Sequence, residues 1–262
     1  MQLLVSVRSA DEVEPALAGG ADIIDAKEPD RGSLGAVDRN VLRRILHCVP
    51  DGCGVSVALG DVTSPAEVHA ALLGLDLPER ASPVYLKLGF AGVRSANQIR
   101  LLLATAVSLT RRMTASPRIV AVAYADPERA GTVSPALIPP LAEGTGAAGV
   151  LLDTHGKDGR GLPEWLPYGA LVDWVAGARQ AGLLTALAGS LRSSDLALVC
   201  RAQPDVVGVR GAACVGGRRG RVSEDRVRQL HLALGWAVRG ISGSGLSGPL
   251  RETRDTGAIS SS

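Results

Sequence analysis

Asp25 and Lys27 stand two residues apart at the end of the apolar run DIIDAK, residues 22 to 27. Lys87 sits near the end of a second run, PVYLKL (83–88), and Asp153 closes a third, AGVLLD (148–153). Lys157 follows Asp153 by four residues in DTHGKDG. Residues two apart on a strand point the same way. Ile23, Asp25 and Lys27 therefore share a face, as do Tyr85 and Lys87, and Leu151 and Asp153. A lysine amine is ordinarily protonated at neutral pH. Burial and neighbouring ammonium groups lower its pKa and free the amine. A free amine adds to a carbonyl to give a Schiff base, whose protonated form is an electron sink for aldol addition and elimination. Adjacent carboxylates move the protons. A single strand-end lysine reads as a structural ion-pair partner. Three lysines and two aspartates at one mouth are harder to explain as structure alone, because buried charge is costly unless paired. Lys27, Lys87, Lys157, Asp25 and Asp153 are the candidate catalytic residues.

Two small-residue loops supply a complementary feature. LAGSLRSSD (187–195) and GVRGAACVGGRRGRVSED (208–225) follow the last two apolar runs. Gly189 and Ser190 in the first, and Arg210, Gly211 and Ala212 in the second, can offer backbone N–H groups to an anion, with small side chains that permit close approach. They are the candidate phosphate-binding residues and point to a small phosphorylated substrate. Arg218, Arg219 and Arg221 cluster in the second loop as a local anion site or a solvated turn. RGSLG (31–35) is balanced between a second anion loop and a plain turn.

The elements that must position these residues repeat. Eight short apolar runs occur, at 2–7, 22–26, 54–59, 83–88, 118–123, 148–153, 183–188 and 204–209. Continuous apolar runs of this length suit parallel strands buried on both faces. Helical patterns lie between them. Ser9 is placed to cap SADEVEPALAGG, Ser64 precedes Pro65 at a first helical position, and a serine precedes ANQIRLLLATAVSLTRRM. Eight alternations predict a (β/α)8 TIM barrel over residues 1–237, with a doubly wound sheet as the alternative. In the barrel the strand-end charges fall at the C-terminal face, and the two glycine-rich loops follow strands seven and eight, where this fold binds phosphate. Residues 238–262 are rich in Gly and Ser and are expected to form a disordered tail.

Composition narrows the function classes. Lys and Arg together number 28 against 26 Asp and Glu, which gives no electrostatic case for nucleic acid binding. Aromatic residues make up only 3%, so the core is built from Val, Leu, Ala and Ile. Cys48, Cys53, Cys200 and Cys214 match no zinc or haem spacing and read as reduced thiols of a cytoplasmic protein. The opening MQLLVSVRSADEVE does not resemble a signal peptide, and no apolar stretch reaches the roughly 18 residues of a membrane span. No metal site is expected. A homo-oligomer is compatible with the sequence, which carries no signal for it.

GGADIIDAKEPDRGSLGA, YLKLG, VLLDTHGKDGRGL, ALAGSLR and DVVGVRGAACVGG together resemble the (5-formylfuran-3-yl)methyl phosphate synthases, in order, over residues 1 to about 234. The resemblance implies a TIM barrel without metal or organic cofactor. It implies condensation of two glyceraldehyde 3-phosphate molecules, a lyase-type reaction that loses one phosphate and water. It matches Lys27 to the Schiff-base lysine and Lys157 to a second functional lysine, with Lys87, Asp25 and Asp153 as further polar site residues. Departures are His155-Gly156, where bulkier apolar residues are expected, the absence of a lysine before the third strand, and the tail. Two other hypotheses stand beside it. One is another Schiff-base aldolase or isomerase on triose or sugar phosphates. The other is a non-catalytic sensor of a phosphorylated metabolite, against which the retention of all three lysines speaks.

Overall fold

The structure is a computed structural model and describes residues 1–243. Eight parallel strands close into a barrel in sequence order. They are β1 (Gln2–Val7), β2 (Ile23–Ala26), β3 (Gly54–Asp61), β4 (Val84–Gly89), β5 (Arg118–Tyr124), β6 (Gly149–Asp153), β7 (Leu184–Leu187) and β8 (Val206–Val209). Pairing of β1 with β8, Gln2 beside Val206 and Val5 beside Val209, closes the ring. Each expected strand is present, with ends displaced by two residues at most.

The period of two sorts the side chains. Ile23, Tyr85, Val120, Val122, Leu151, Ala186 and Val206 form one apolar cluster inside the barrel. Their sequence neighbours Ile24, Leu86, Ala121, Leu152, Leu187 and Val207 belong to a second, larger cluster between strands and helices. Burial on both faces is why the runs are continuously apolar rather than alternating. The interior departs from apolar character toward the strand ends, at Ser6, Asp25, Ser56, Lys87 and Asp153, all buried.

The outer layer comprises α1 (Val13–Ala18), α2 (Arg39–Cys48), α3 (Pro65–Leu72), α4 (Ala96–Thr110), α5 (Pro127–Ala130), α6 (Ile138–Thr145), α7 (Leu162–Trp165), α8 (Tyr168–Gln180), α9 (Leu196–Arg201) and α10 (Glu224–Gly243). A two-stranded ribbon, β9 (Cys214–Val215) with β10 (Arg221–Val222), folds the loop after β8 back on itself. Ser64 and Ser95 cap α3 and α4 by accepting from the N–H of Glu67 and Gln98. Ser9 does not cap. A 3-10 turn at Ala10–Glu12 precedes α1, and the Glu12 carboxylate accepts from the Arg8 N–H instead. The expected tail began at residue 238, yet α10 runs to Gly243; the rest of that stretch lies outside the described residues. No helix among the described residues is long and apolar enough to cross a membrane. The four cysteines are free.

Candidate active site

A cavity of about 530 Å3 occupies the barrel mouth, and all ten candidate residues line it: Asp25, Lys27, Lys87, Asp153, Lys157, Gly189, Ser190, Arg210, Gly211 and Ala212. The five charged candidates come from three strand ends and one loop. Register explains the convergence. Ser6, Asp25 and Ser56 are direct neighbours across β1, β2 and β3, and Lys87 is level with Ala58 of β3.

Two of the lysines are committed to carboxylates. Lys87 Nζ lies 2.6 Å from Asp25 Oδ1, at angles outside those of a directed hydrogen bond, so the contact is an ion pair. Ser6 Oγ donates to Asp25 Oδ2 at 2.7 Å. Lys157 Nζ donates to Asp153 Oδ1 at 2.8 Å and to Thr154 Oγ1 at 3.1 Å. Burial would raise both aspartates, but the opposing charges win. Lys87, then Lys27, hold Asp25 below its ordinary value, and Lys157, then Lys27, hold Asp153 at about 2. Both are carboxylates, and so proton acceptors, at neutral pH.

Lys27 differs. Among the described residues its Nζ makes no hydrogen bond and no ion pair. Its side chain is buried, yet it borders the cavity. Its pKa falls from 10.5 to about 7. Burial is the largest cause. Asp153 opposes it and Lys87 adds to it; more weakly, Asp25 opposes it and Lys157 adds to it. At pH 7 an ordinary lysine is neutral in only about one molecule in several thousand. Lys27 carries a free amine in a large share of them.

The loop carrying Lys157 is held from outside the cavity. The N–H groups of His155 and Gly156 donate to the two oxygens of the buried Asp126 carboxylate at 2.6 and 2.8 Å. On the other side of Lys157, Arg129 Nη1 pairs with Asp158 Oδ2 at 2.8 Å. A Cβ at position 156 would lie 2.5 Å from Arg129 Nη1 and 3.2 Å from Asp126 Oδ2. That crowding gives Gly156 its physical reason; it does not account for the histidine at 155.

The Arg210 side chain is turned to structure rather than to the cavity. It is buried, and its guanidinium is fully used. It forms a two-pronged pair with Glu12, through Nη1 to Oε2 at 2.5 Å and Nη2 to Oε1 at 3.1 Å. Its remaining bonds go to the carbonyls of Ser6, Arg218 and Gly220. Five N–H groups meet five acceptors, leaving none for a ligand. Arg210 holds the loop after β8 and offers at most its backbone to the cavity. At the loop after β7, Gly189 has φ of 103° and Ser190 has φ of 49°. Left-handed backbone is uncommon for a residue with a side chain, so this turn is held in shape beside the cavity.

The RGSLG segment behaves as a turn. Leu34 is buried in the barrel's interior cluster, and Ser33 Oγ donates to Tyr124 Oη at 3.3 Å. Tyr124 Oη in turn donates to Asp61 Oδ1 at 2.7 Å. None of residues 31–35 borders the cavity.

Several residues escaped the sequence reading. Ser6 and Ser56 line the cavity, and the Ser56 hydroxyl has no hydrogen-bond partner there. Both sit at inward positions of apolar strands, so the period-two rule that found Asp25 was sufficient to find them. Arg218 did not escape it: one of the clustered loop arginines expected as an anion site or a solvated turn, it lines the cavity. Asp126 does not touch it and gave no signal beyond lying just past a strand end. Among the described residues no group of three or more His, Cys, Asp or Glu gathers as a metal site.

An eight-stranded parallel barrel with interleaved lysines and aspartates at the C-terminal strand ends defines a TIM-barrel protein with its site at the expected mouth. Solved structures agree on the fold. 3-Hexulose-6-phosphate synthase from Salmonella typhimurium matches with a TM-score of 0.59 at 18% identity, covering 90% of this chain and 100% of that one. Phosphoribosyl anthranilate isomerase from Thermus thermophilus matches with a TM-score of 0.58 at 14% identity, covering 90% and 99%. Sequence similarity goes further. The family model described as 4-HFC-P synthase matches residues 3–231, and the chain belongs to that family of synthases. The (5-formylfuran-3-yl)methyl phosphate synthase of Methanothermobacter thermautotrophicus is 39% identical over 233 residues, covering 88% of this chain and 97% of the relative. That of Methanocaldococcus jannaschii is 37% identical over 238 residues, covering 88% and 98%. A putative one from Streptomyces griseus is 40% identical over 225 residues, covering 84% and 88%.

Proposed function

We propose that this enzyme condenses two molecules of glyceraldehyde 3-phosphate, through a Schiff base on Lys27, to (5-formylfuran-3-yl)methyl phosphate. One phosphate and two molecules of water are lost, which makes the reaction that of a carbon–oxygen lyase. The observation that carries the reading is the state of Lys27: buried, unpaired and with a pKa of about 7, at the mouth of a barrel whose family makes this product.

The residues divide the work. The neutral Lys27 amine attacks the aldehyde carbon, and the carbinolamine loses water to give the imine. Protonation of the imine nitrogen draws electrons from the imine carbon and acidifies the C–H of the carbon next to it; a carboxylate accepts that proton and the enamine forms. Asp25 and Asp153, both ionised, serve as the proton acceptors. Lys157, hydrogen-bonded to Asp153, is the proton donor to departing oxygen. Lys87 keeps Asp25 ionised and helps keep Lys27 neutral. The loops at Gly189-Ser190 and Arg210–Ala212 hold the phosphoryl group through backbone N–H groups.

Borohydride reduction in the presence of glyceraldehyde 3-phosphate tests the proposal. The expected result is an added mass on the peptide containing Lys27. Modification elsewhere, or none, would sink it. The ultraviolet spectrum of the product mixture tests the reaction itself, since a furan aldehyde absorbs where aldol or isomerisation products of triose phosphates do not.

A further inference from the structure

We infer that the guanidinium of Arg218 binds the phosphoryl group of the substrate; this rests on the reading of the cavity as a site for a phosphorylated aldehyde. The argument is one of unmatched charge. Lys87 is paired with Asp25, Lys157 with Asp153 and Arg210 with Glu12. Arg192 donates to the Gly159 carbonyl and has Glu164 at 3.7 Å. Arg226 is exposed. Arg218 borders the cavity, is partly buried, and has no carboxylate within ion-pair distance among the described residues. A desolvated cation without a counter-ion is unfavourable unless an anion completes it.

The remaining donors fit the task. Arg218 Nη2 donates to the carbonyls of Gly32 at 2.7 Å and Pro29 at 3.2 Å. Its Nη1 and Nε make no such bond, which leaves three N–H groups of a planar fork suited to phosphoryl oxygens. Burial lowers its pKa, Asp153 pulls the other way, and Arg210 adds to the lowering. The group is therefore desolvated and within electrostatic reach of the lysine–aspartate centre.

The loop places it deliberately. Gly216 and Gly217 have φ of 84° and 73°, a tight turn that side chains resist. It brings the Arg218 backbone to 3.6 Å from where a Cβ on Gly211 would lie. Arg218 thus stands alongside the Gly211-Ala212 backbone. Arg210 fixes the arrangement from behind, donating to the carbonyls of Arg218 at 3.1 Å and Gly220 at 2.8 Å. Arg210 is spent on holding the loop, and Arg218 is left to bind.

The experiment compares wild type with Arg218→Gln and Arg218→Lys. Binding of inorganic phosphate is measured by titration calorimetry, which needs no chemistry at Lys27. Borohydride trapping is then compared for glyceraldehyde 3-phosphate and unphosphorylated glyceraldehyde. Arg218→Gln is expected to weaken phosphate binding and raise KM for glyceraldehyde 3-phosphate by about tenfold or more, while trapping by glyceraldehyde changes less than about twofold. Arg218→Lys, which keeps the charge and loses the fork, is expected to weaken phosphate by about threefold or more. It supplies the answer if the glutamine variant does not fold. Unchanged phosphate affinity in either folded variant overturns the inference, as does an equal loss for both aldehydes. Absence of trapping in wild type overturns the Lys27 chemistry but leaves the calorimetric result to stand on its own.

Discussion

Lys87 reaches past β3 to place its Nζ 2.6 Å from Asp25, and that pairing leaves Lys27, two residues beyond Asp25, as the unpaired amine. The two lysines differ in partner rather than in position. Each comes from a strand end, and each is buried. What separates them is which one the carboxylate has claimed.

Replacing Lys87 therefore has two expected effects. Lys87→Met leaves Asp25 buried with only the Ser6 hydroxyl, and breaking such a pair costs about 3–5 kcal/mol. Urea unfolding at neutral pH measures this. The ammonium of Lys87 is also among the causes that hold Lys27 down. Its removal shifts upward the pH at which Lys27 becomes trappable. A downward shift, or none, contradicts the account of Lys27.

Lys157 is expected to act later than Lys27. Lys157→Ala should keep substrate binding and borohydride trapping at Lys27 while turnover falls by about a hundredfold or more, the scale of a lost general acid. Survival of turnover removes Lys157 from the role of proton donor.

The barrel was legible because burial on both faces writes each strand as a continuous apolar run, and charges interrupting such a run stand out. Asp25, Lys87 and Asp153 were found that way. Partners were not legible. Whether Lys27 or Lys87 pairs with Asp25 depends on the reach of side chains across β3, which no spacing within one strand encodes. Arg210 and Arg218, both in the loop after β8, show the same limit. Arg210 and Arg218 look equally available in sequence, and the choice between them is made by Glu12, 198 residues from Arg210. Ser9 has the residue type of a cap, yet its side chain accepts no N–H from the turn that follows.

Glu12 and Arg210 form the buried hinge of that loop, so their removal is expected to act on structure before chemistry. Glu12→Gln leaves the Arg210 guanidinium without a counter-charge and should lower unfolding free energy by about 3–5 kcal/mol. Phosphate affinity should fall with it, because the carbonyls of Arg218 and Gly220 lose a fixed donor. A variant as stable as wild type would show that the pair is dispensable to the loop.

Asp126 is expected to act on Lys157 without touching substrate. Asp126→Asn replaces an oxygen that accepts from Gly156 or His155 with an amide that cannot. The loop loosens, and Lys157 loses its fixed approach to Asp153. The expected signature is a fall in kcat of about tenfold with little change in KM and unchanged trapping at Lys27. A rise in KM alone would point to a role in binding instead.

The depressed pKa of Lys27 also predicts how the fold responds to pH. In the unfolded chain the amine titrates near 10.5, and in the folded protein at about 7. Between those values the unfolded state binds more protons, so this residue's contribution to stability rises with pH. Below about pH 7 the penalty of charging a buried amine is fully present, and it has gone by pH 10.5. Lys27→Met, close in shape and unable to ionise, removes the penalty. It is expected to stabilise the protein by roughly 2–5 kcal/mol at pH 6. The gain should shrink steadily as unfolding is measured at pH 8 and pH 9. A gain that does not depend on pH would mean that the amine titrates alike in both states, and the nucleophile would then have to be sought among the cavity's other lysines. Activity follows the same titration: imine formation should grow as pH rises through about 7, where Lys27 gives up its proton.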